Sequence, residues 1–353
     1  MFAPTYQISH KITRDLMTIE GARQSMINLP IDVEMLRSLR ESAKLLTTHF
    51  STQIEGNRLT QAEVAEVVSG ARFPGRERDT NEVRNYYAAL EEVERLGKTD
   101  KPLSESTIQR IHGVAYHGRL KETPYRDGQN VIRDNQSGVI AYLPPEASDV
   151  SALMGQLVTW VEAELTAGDL SVPVLAGLLH YQLATIHPYY DGNGRMARLV
   201  TTLLLHRCGY GLKGIYSLEE HYAKNLGAYY RALSVGPSHN YYEGRAGADV
   251  TGFLEYFCDG MAKAFLAIRI QASRAAERED RDQEATLREL DPRKRQVLSL
   301  LHAHSPVTAA QLAAHLGLSP RTVRDLCATW VNEGFLECHD SSRKKRSYRL
   351  PAE

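Results

Sequence analysis

A chain of 353 residues with 42% apolar and 24% charged residues is too long for one ordinary domain and too apolar to be mainly disordered. Its net charge of −1 hides an asymmetry, because from Pro292 onward ten Lys or Arg face five Asp or Glu, leaving +5 there and −6 on the remainder. Uncharged stretches fall short of the roughly 18 apolar residues of a membrane span, no signal-peptide pattern opens the chain, and Cys208, Cys258, Cys327 and Cys338 form no CxxC pair. A cytosolic protein with no membrane partner, no zinc cluster and no disulfide framework is expected.

In chain order, Leu36, Leu39, Ala43, Leu46, Phe50 and Ile54 recur at helical spacing, and Gly56-Asn57 marks the stop. Further helices are predicted from Gln61 to Ser69, from about Asn81 to Leu96, and after Ser104 through Ile108, Ile111 and Ala115. Two β-prone runs, Asn130-Val131-Ile132-Arg133 and Val139-Ile140-Ala141-Tyr142, flank a turn cluster and predict a hairpin. Periodicity resumes from Val150 to Thr166. Ser171-Val172-Pro173 then opens a helix that is apolar nearly all round and therefore buried, and Pro188 ends it at His187. Another apolar helix, about Arg195 to Cys208, follows a loop with two glycines. The polar stretch from Met261 to Leu290 reads as a connecting helix, and Asp291-Pro292 as a boundary.

The densest chemistry lies in His187-Pro188-Tyr189-Tyr190-Asp191-Gly192-Asn193-Gly194-Arg195-Met196-Ala197-Arg198. Two glycines leading into a helix let backbone N–H groups converge on an anion, and the helix amino end adds positive partial charge. Arg195 and Arg198 share one helix face, so both guanidiniums can reach one polyphosphate. Asp191 offers the hard oxygen that phosphate-bound Mg²⁺ requires, and His187 can accept a proton from an incoming hydroxyl. A lone helix-end His, a GNG turn or a pair of spaced arginines is ordinarily structural. Their occurrence in one ordered string is what points to a site. The charge on His187 is left open, since a helix carboxyl end favours protonation and nearby arginines oppose it.

This string resembles the signature of the Fic family, HPFxDGNGRxxR, at every defining position except Tyr189, where phenylalanine is usual. The resemblance extends from about Ser51 to Met261 and takes in the hairpin and the Tyr229-Tyr230 and Asn240-Tyr241-Tyr242 stretches. It implies transfer of AMP from ATP to a protein hydroxyl. His187 would be the general base, Asp191 would hold Mg²⁺, and Gly192, Asn193 and Gly194 would cradle the phosphates, with Arg195 and Arg198 clamping them. Asn130, Val131, Ile132, Ile140, Ala141 and Tyr142 would form a flap that aligns the target by strand pairing, and Tyr229 and Tyr230 an adenine pocket. The implied partners are a protein bearing an exposed Ser, Thr or Tyr, the chain itself, and a second copy in a homodimer.

Ser51-Thr52-Gln53-Ile54-Glu55-Gly56-Asn57 resembles the family's inhibitory motif, [S/T]xxxE[G/N]. Ser51 and Glu55 lie on one side of the last helical turn. By resemblance, with Gly56 closing the motif, Glu55 would pair with Arg198 and leave ATP bound unproductively, because a carboxylate competes directly with phosphate for a guanidinium.

Beyond Pro292, a helix from Thr308, a turn at Gly317 and a helix opened by Ser319-Pro320 follow the helix-turn-helix layout. Gly334–Cys338 and Ser347–Leu350 predict two strands joined by a basic tip, and the whole resembles a winged helix. Arg321, Thr322 and Arg324 on the second helix, with Arg343, Lys344, Lys345 and Arg346 on the tip, are the expected DNA contacts, unless the domain binds protein instead. The fold class expected is mainly α: a Fic-type helical bundle with a short β-hairpin flap, plus a C-terminal winged helix-turn-helix domain. The expected organisation is an N-terminal helical region over 1–100, a catalytic core over 101–260, a connecting helix over 261–291 and the winged domain over 292–353. Competing readings are a DNA-binding regulator that only senses nucleotide, which would not need the base, and an enzyme of the same family transferring another phosphate-containing group.

Overall fold

The computed structural model describes residues 2–351 except Pro30, 134–137, Pro237, Leu290, Ser341 and 343–345. The hairpin tip and the wing residues Arg343, Lys344 and Lys345 therefore lie outside the described residues. The chain divides into two compact units, Met1–Ser273 and Arg274–Glu353.

The first unit is a helical bundle. Its helices are α1 (His10–Asn28), α2 (Val33–Ile54), α3 (Gln61–Val68), α4 (Glu77–Gly97), α5 (Glu105–His117), α6 (Ala147–Ala167), α7 (Val172–Ile186), α8 (Asn193–Arg207), α9 (Glu219–Lys224), α10 (Leu226–Leu233) and α11 (Thr251–Glu289). Between α5 and α6, β1 (Ile132–Arg133) pairs antiparallel with β2 (Ile140–Tyr142). As its all-round apolar sequence requires, α7 is central, with thirteen of its fifteen residues buried. It packs on α8 and α6, while α4 and α5 close over α8 from the other side. Starts are set by side-chain caps, as where Asp32 accepts from the Met35 N–H (2.8 Å) and Ser104 from the Thr107 N–H (3.1 Å).

Two elements depart from the sequence reading. The helix predicted from Met261 starts ten residues earlier, at Thr251, because Phe253, Leu254, Phe257, Cys258, Met261 and Phe265 are core residues. The first compact unit takes in α11 as far as Ser273, and the rest of the helix falls in the second. The long helix α1 is absent from the sequence reading; Ser9 caps its start, accepting from the Ile12 N–H at 3.3 Å, and it buries Ile12, Ile19, Ala22 and Met26.

In the second unit, α12 (Pro292–Ala303), α13 (Ala309–Leu316) and α14 (Pro320–Asn332) surround a three-stranded antiparallel sheet. Its strands β3 (Val307–Thr308), β4 (Glu337–Asp340) and β5 (Ser347–Arg349) run in the order β3-β5-β4, and β3 is too short to carry a strand pattern of its own. The core gathers Val297, Leu301, Leu312, Val323, Cys327, Trp330 and Tyr348. This is a winged helix.

Gly113 in α5 is covered by the following loop, where the Arg119 N–H donates to its carbonyl at 3.2 Å. A Cβ at this position would overlap the Lys121 carbonyl oxygen, a backbone atom with no rotamer to escape into. Gly113→Ala is therefore expected to cost about 1–3 kcal/mol. A thermal melt that shows no loss of Tm would mean that the loop moves aside freely.

Candidate active site

The site forms where α7 stops and α8 begins. Pro188 ends α7, and His187 takes a left-handed conformation (φ 52°) that is uncommon and strained for a residue with a side chain. Asn193 staples the intervening loop, its amide bonding both backbone groups of Tyr189: the Tyr189 N–H donates to Oδ1 (2.9 Å) and Nδ2 donates to the Tyr189 carbonyl (2.8 Å). The Asn193 side chain is thus committed to the loop, which leaves only its backbone for an anion. Gly192 occupies the N-cap position of α8. His112 stacks on Tyr189 (3.6 Å between centroids), and its Nε2 bonds the Asp191 carbonyl at 2.8 Å.

Burial is the largest influence on the His187 charge and acts in the same direction as a nearby arginine. Desolvation pushes its pKa down to about 4, against upward pulls from the Ala184 carbonyl, Glu55 and Asp191 and a further downward push from Arg126. The imidazole is neutral at pH 7. Its Nδ1 lies 3.3 Å from the Ala184 carbonyl, which fixes the proton there and leaves Nε2 as the basic nitrogen.

Both arginines are buried, Arg195 at 5% and Arg198 at 2% exposure, so each needs an anionic partner. Arg198 donates to Glu55 Oε1 (2.8 Å), to Ser51 Oγ (2.8 Å) and to the Ser51 carbonyl (3.0 Å). Burial works against its charge, and Glu55 leads the groups that more than offset this. Arg195 pairs with Glu82 of α4 at 2.8 Å, and its other amino group stands 3.8 Å from Asp191. Glu82 in turn accepts from Asn57 Nδ2 at 2.8 Å, directly past the Gly56 bend (φ 90°). Arg198 Nη1 and Arg195 Nε are buried without a partner among the described residues. Gly194 opens the space between these groups, since a Cβ there would overlap Glu55 Oε1. The Glu55 carboxylate accordingly sits at the amino end of α8, where an anion is most stable.

Asp191 has a half-exposed carboxylate whose Oδ1 accepts from the Gly192 N–H at 2.6 Å. One hard donor open to the mouth suits Mg²⁺ that draws its remaining ligands from phosphate and water. No group of three or more His, Cys, Asp or Glu gathers to hold a metal among the described residues.

The hairpin stands over this loop. Asn130 Nδ2 donates to the Tyr189 and Tyr190 carbonyls (3.2 and 3.3 Å), and Tyr142 donates to the Thr185 carbonyl (2.8 Å). Ile140 and Ala141 are exposed, Val131 and Ile132 half-buried, and Tyr142 buried. The Asn240-Tyr241-Tyr242 stretch secures the far end, through a Leu143–Asn240 bridge and a Tyr242 hydroxyl that accepts from the Glu146 N–H at 2.8 Å. The two tyrosines expected to hold adenine keep their rings 5.5 Å apart but differ in exposure. Tyr229 is 2% exposed, stacks on Tyr222 and bonds His180 at 2.9 Å, so its ring is not free to meet a base. Tyr230, 47% exposed beside the end of α2, presents a free face. Glu82, Asn57, His112 and Arg126 have no site role in the sequence reading, and of these only Asn57, which closes the Ser51–Asn57 string, carries a local signal.

In the second unit Arg321, Thr322 and Arg324 are exposed on α14, and Arg346 is exposed ahead of β5. The Thr322 N–H and hydroxyl engage the Ser319 cap, and Arg324 Nε donates to the Pro320 carbonyl at 3.1 Å.

Comparison with known proteins agrees with both units. The Fic/DOC family model matches residues 102–205, and that of the winged helix-turn-helix DNA-binding domains matches 290–337. The matches thus place a Fic/DOC-type domain over residues 102–205 and a winged helix-turn-helix domain over 290–337. It is 29% identical over 199 residues to protein adenylyltransferase Fic of Drosophila willistoni (56% of this chain, 39% of that one) and 30% identical over 199 residues to protein adenylyltransferase fic-1 of Caenorhabditis briggsae (55% and 38%). It thus spans about two fifths of the length of these curated relatives. Over 100% of this chain and 99% of the other, it resembles the crystal structure of a Fic family protein from Desulfovibrio desulfuricans, with 26% identity and a TM-score of 0.62. No helix among the described residues is long and apolar enough to cross a membrane.

The Tyr189 hydroxyl, the one addition to the usual motif, is buried with no partner among the described residues. Tyr189→Phe should therefore stabilise the chain by roughly 1 kcal/mol or leave it unchanged, because an unsatisfied buried hydroxyl costs about 1–3 kcal/mol. Chemical denaturation would detect the opposite result, a loss of stability, if the hydroxyl had a partner.

Proposed function

We propose that the chain is an autoinhibited protein adenylyltransferase that moves AMP from ATP to a Ser, Thr or Tyr hydroxyl of a protein, itself included. One arrangement carries this reading: a neutral imidazole with its Nε2 free, next to a helix amino end flanked by two buried arginines. Nε2 would take the proton of the target hydroxyl as its oxygen bonds to the α-phosphorus. The bond from that phosphorus to the bridging oxygen breaks, and pyrophosphate leaves with its charge met by Arg195 and the α8 amino end. Mg²⁺ held by Asp191 would spread charge over the α- and β-phosphates when bound. A regulator that only senses nucleotide has no use for the basic nitrogen.

The Glu55–Arg198 pair supports the inhibitory part of the reading. Glu55 holds the guanidinium that would grip the γ-phosphate and itself fills the space over Gly194. ATP arriving with that position taken must place its terminal phosphate elsewhere, which misaligns the α-phosphorus.

Label transfer from α-labelled ATP tests the scheme. Glu55→Gly is expected to raise transfer by about tenfold or more, and adding His187→Ala should reduce it by at least about a hundredfold. Arg198→Ala should remove the gain in the double variant, since the two residues share one interaction. Because His187 must be neutral and its pKa is depressed to about 4, transfer should persist as pH falls and be lost only as pH approaches that value. An acid limb at the ordinary histidine value of 6.5, or full activity in His187→Ala, would remove His187 as the base.

For the second unit, the exposed Arg321 and Arg324, three apart on α14, support DNA contact through its amino-terminal half. Replacing both with Ala should weaken duplex binding and reduce its salt dependence by about one unit of slope for each arginine–phosphate pair removed. A parent protein showing no salt-dependent binding even at low salt would make the unit a protein-interaction module.

A further inference from the structure

Arg126 lies between α5 and the hairpin and is 3% exposed. No carboxylate pairs with it among the described residues, and burial lowers its pKa, with Glu146 the leading group acting the other way. A guanidinium so placed is costly, and an apolar side chain of similar size would ordinarily be the more stable choice. Its hydrogen bonds explain what the charge secures. Nε donates to the His187 carbonyl (3.0 Å), Nη1 donates to the Gly128 carbonyl (3.1 Å), and Nη2 donates to the Pro145 carbonyl. Its backbone N–H donates to the Pro188 carbonyl at 2.9 Å.

These acceptors belong to three separate segments. Gly128 precedes β1 and Pro145 follows β2, so they are the two feet of the hairpin, and His187 is the residue whose strained backbone aims the imidazole. A planar fork can bond three carbonyls in divergent directions at once, which a lysine ammonium on a flexible stem cannot reproduce. Asn130 and Tyr142 each tie one strand to the loop or to α7, whereas Arg126 joins both feet to His187 itself.

We infer that Arg126 is a positioning residue that locks the backbone of His187 and both feet of the hairpin into one frame. The inference rests on the proposed roles of His187 as base and of the hairpin as target dock. Within those roles, the frame fixes the distance between a strand-docked hydroxyl and Nε2. Arg126 is buried with its side-chain nitrogens committed to backbone carbonyls, so its loss should injure the transfer step and leave nucleotide binding alone.

The test uses the full chain carrying Glu55→Gly, with Arg126→Ala and Arg126→Lys added in turn. Transfer of label from α-labelled ATP is followed against ATP concentration, and backbone amide exchange is followed at 128–133 and 139–143. For Arg126→Ala the expectation is a fall in maximal transfer of about a hundredfold, an unchanged half-saturating ATP concentration, and faster exchange in both hairpin segments. Arg126→Lys should fall between the two, and added methylguanidinium should restore part of the activity of Arg126→Ala. Transfer and exchange at the parent's level would overturn the inference, as would a loss of transfer matched by an equal rise in half-saturating ATP. Should Arg126→Ala fail to fold, Arg126→Lys carries the same readouts. If His187→Ala transfers like the parent, the base reading fails by itself, and the exchange data still judge whether Arg126 braces the hairpin.

Discussion

Two guanidinium groups buried at the amino end of one helix impose the order of everything around them. Keeping both charged out of water calls for compensating acceptors, and α8 itself contains no Asp or Glu. The anions come from elsewhere in the chain, Glu82 from α4 and Glu55 from the end of α2. The packing of α2 and α4 over α8 is therefore as much an electrostatic requirement as a hydrophobic one. Asn57 links the two acids, since it holds Glu82 in place directly beyond the bend that follows Glu55. Glu55, on the near side of that bend, is the more exposed of the two acids.

Much of the bundle is legible in the sequence because the strongest signals are local. Capping residues, the all-apolar α7 and the proline after His187 each act within a few residues, and the helices fall close to where those signals put them. The start of α11 escapes such reading for a physical reason: its first turns interleave acids with Phe253, Phe257 and Met261, and only the tertiary core reveals which face wins. The 187–198 string is legible because its chemistry is contiguous. Glu82, His112 and Arg126 are not, because each reaches the site from a distant segment and none stands in a patterned context. The tyrosine pair shows the limit from the other side, since adjacent identical residues end up in opposite environments, Tyr229 buried and Tyr230 exposed.

His187 illustrates how a question posed in charges can be answered by solvent. The helix end and the arginines are the influences visible in sequence, yet the largest is removal of water, which sides with the arginines. Burial and the Ala184 hydrogen bond act on the same ring, the first keeping it neutral and the second choosing which nitrogen stays bare. The strained backbone at this residue orients that nitrogen, so geometry and protonation are set by separate parts of the structure.

The missing Cβ at Gly194 has a consequence for how such a protein can vary. On the proposed reading, one vacancy serves two occupants, the inhibitory carboxylate and the incoming phosphate. A side chain at this position would evict both, so a mutation there cannot trade restraint for activity. Variants that are permanently active must therefore arise on the α2 side, at Ser51, Glu55 or the bend after them, while the amino end of α8 is closed to change. On that reading, restraint and catalysis are carried by different segments of the chain.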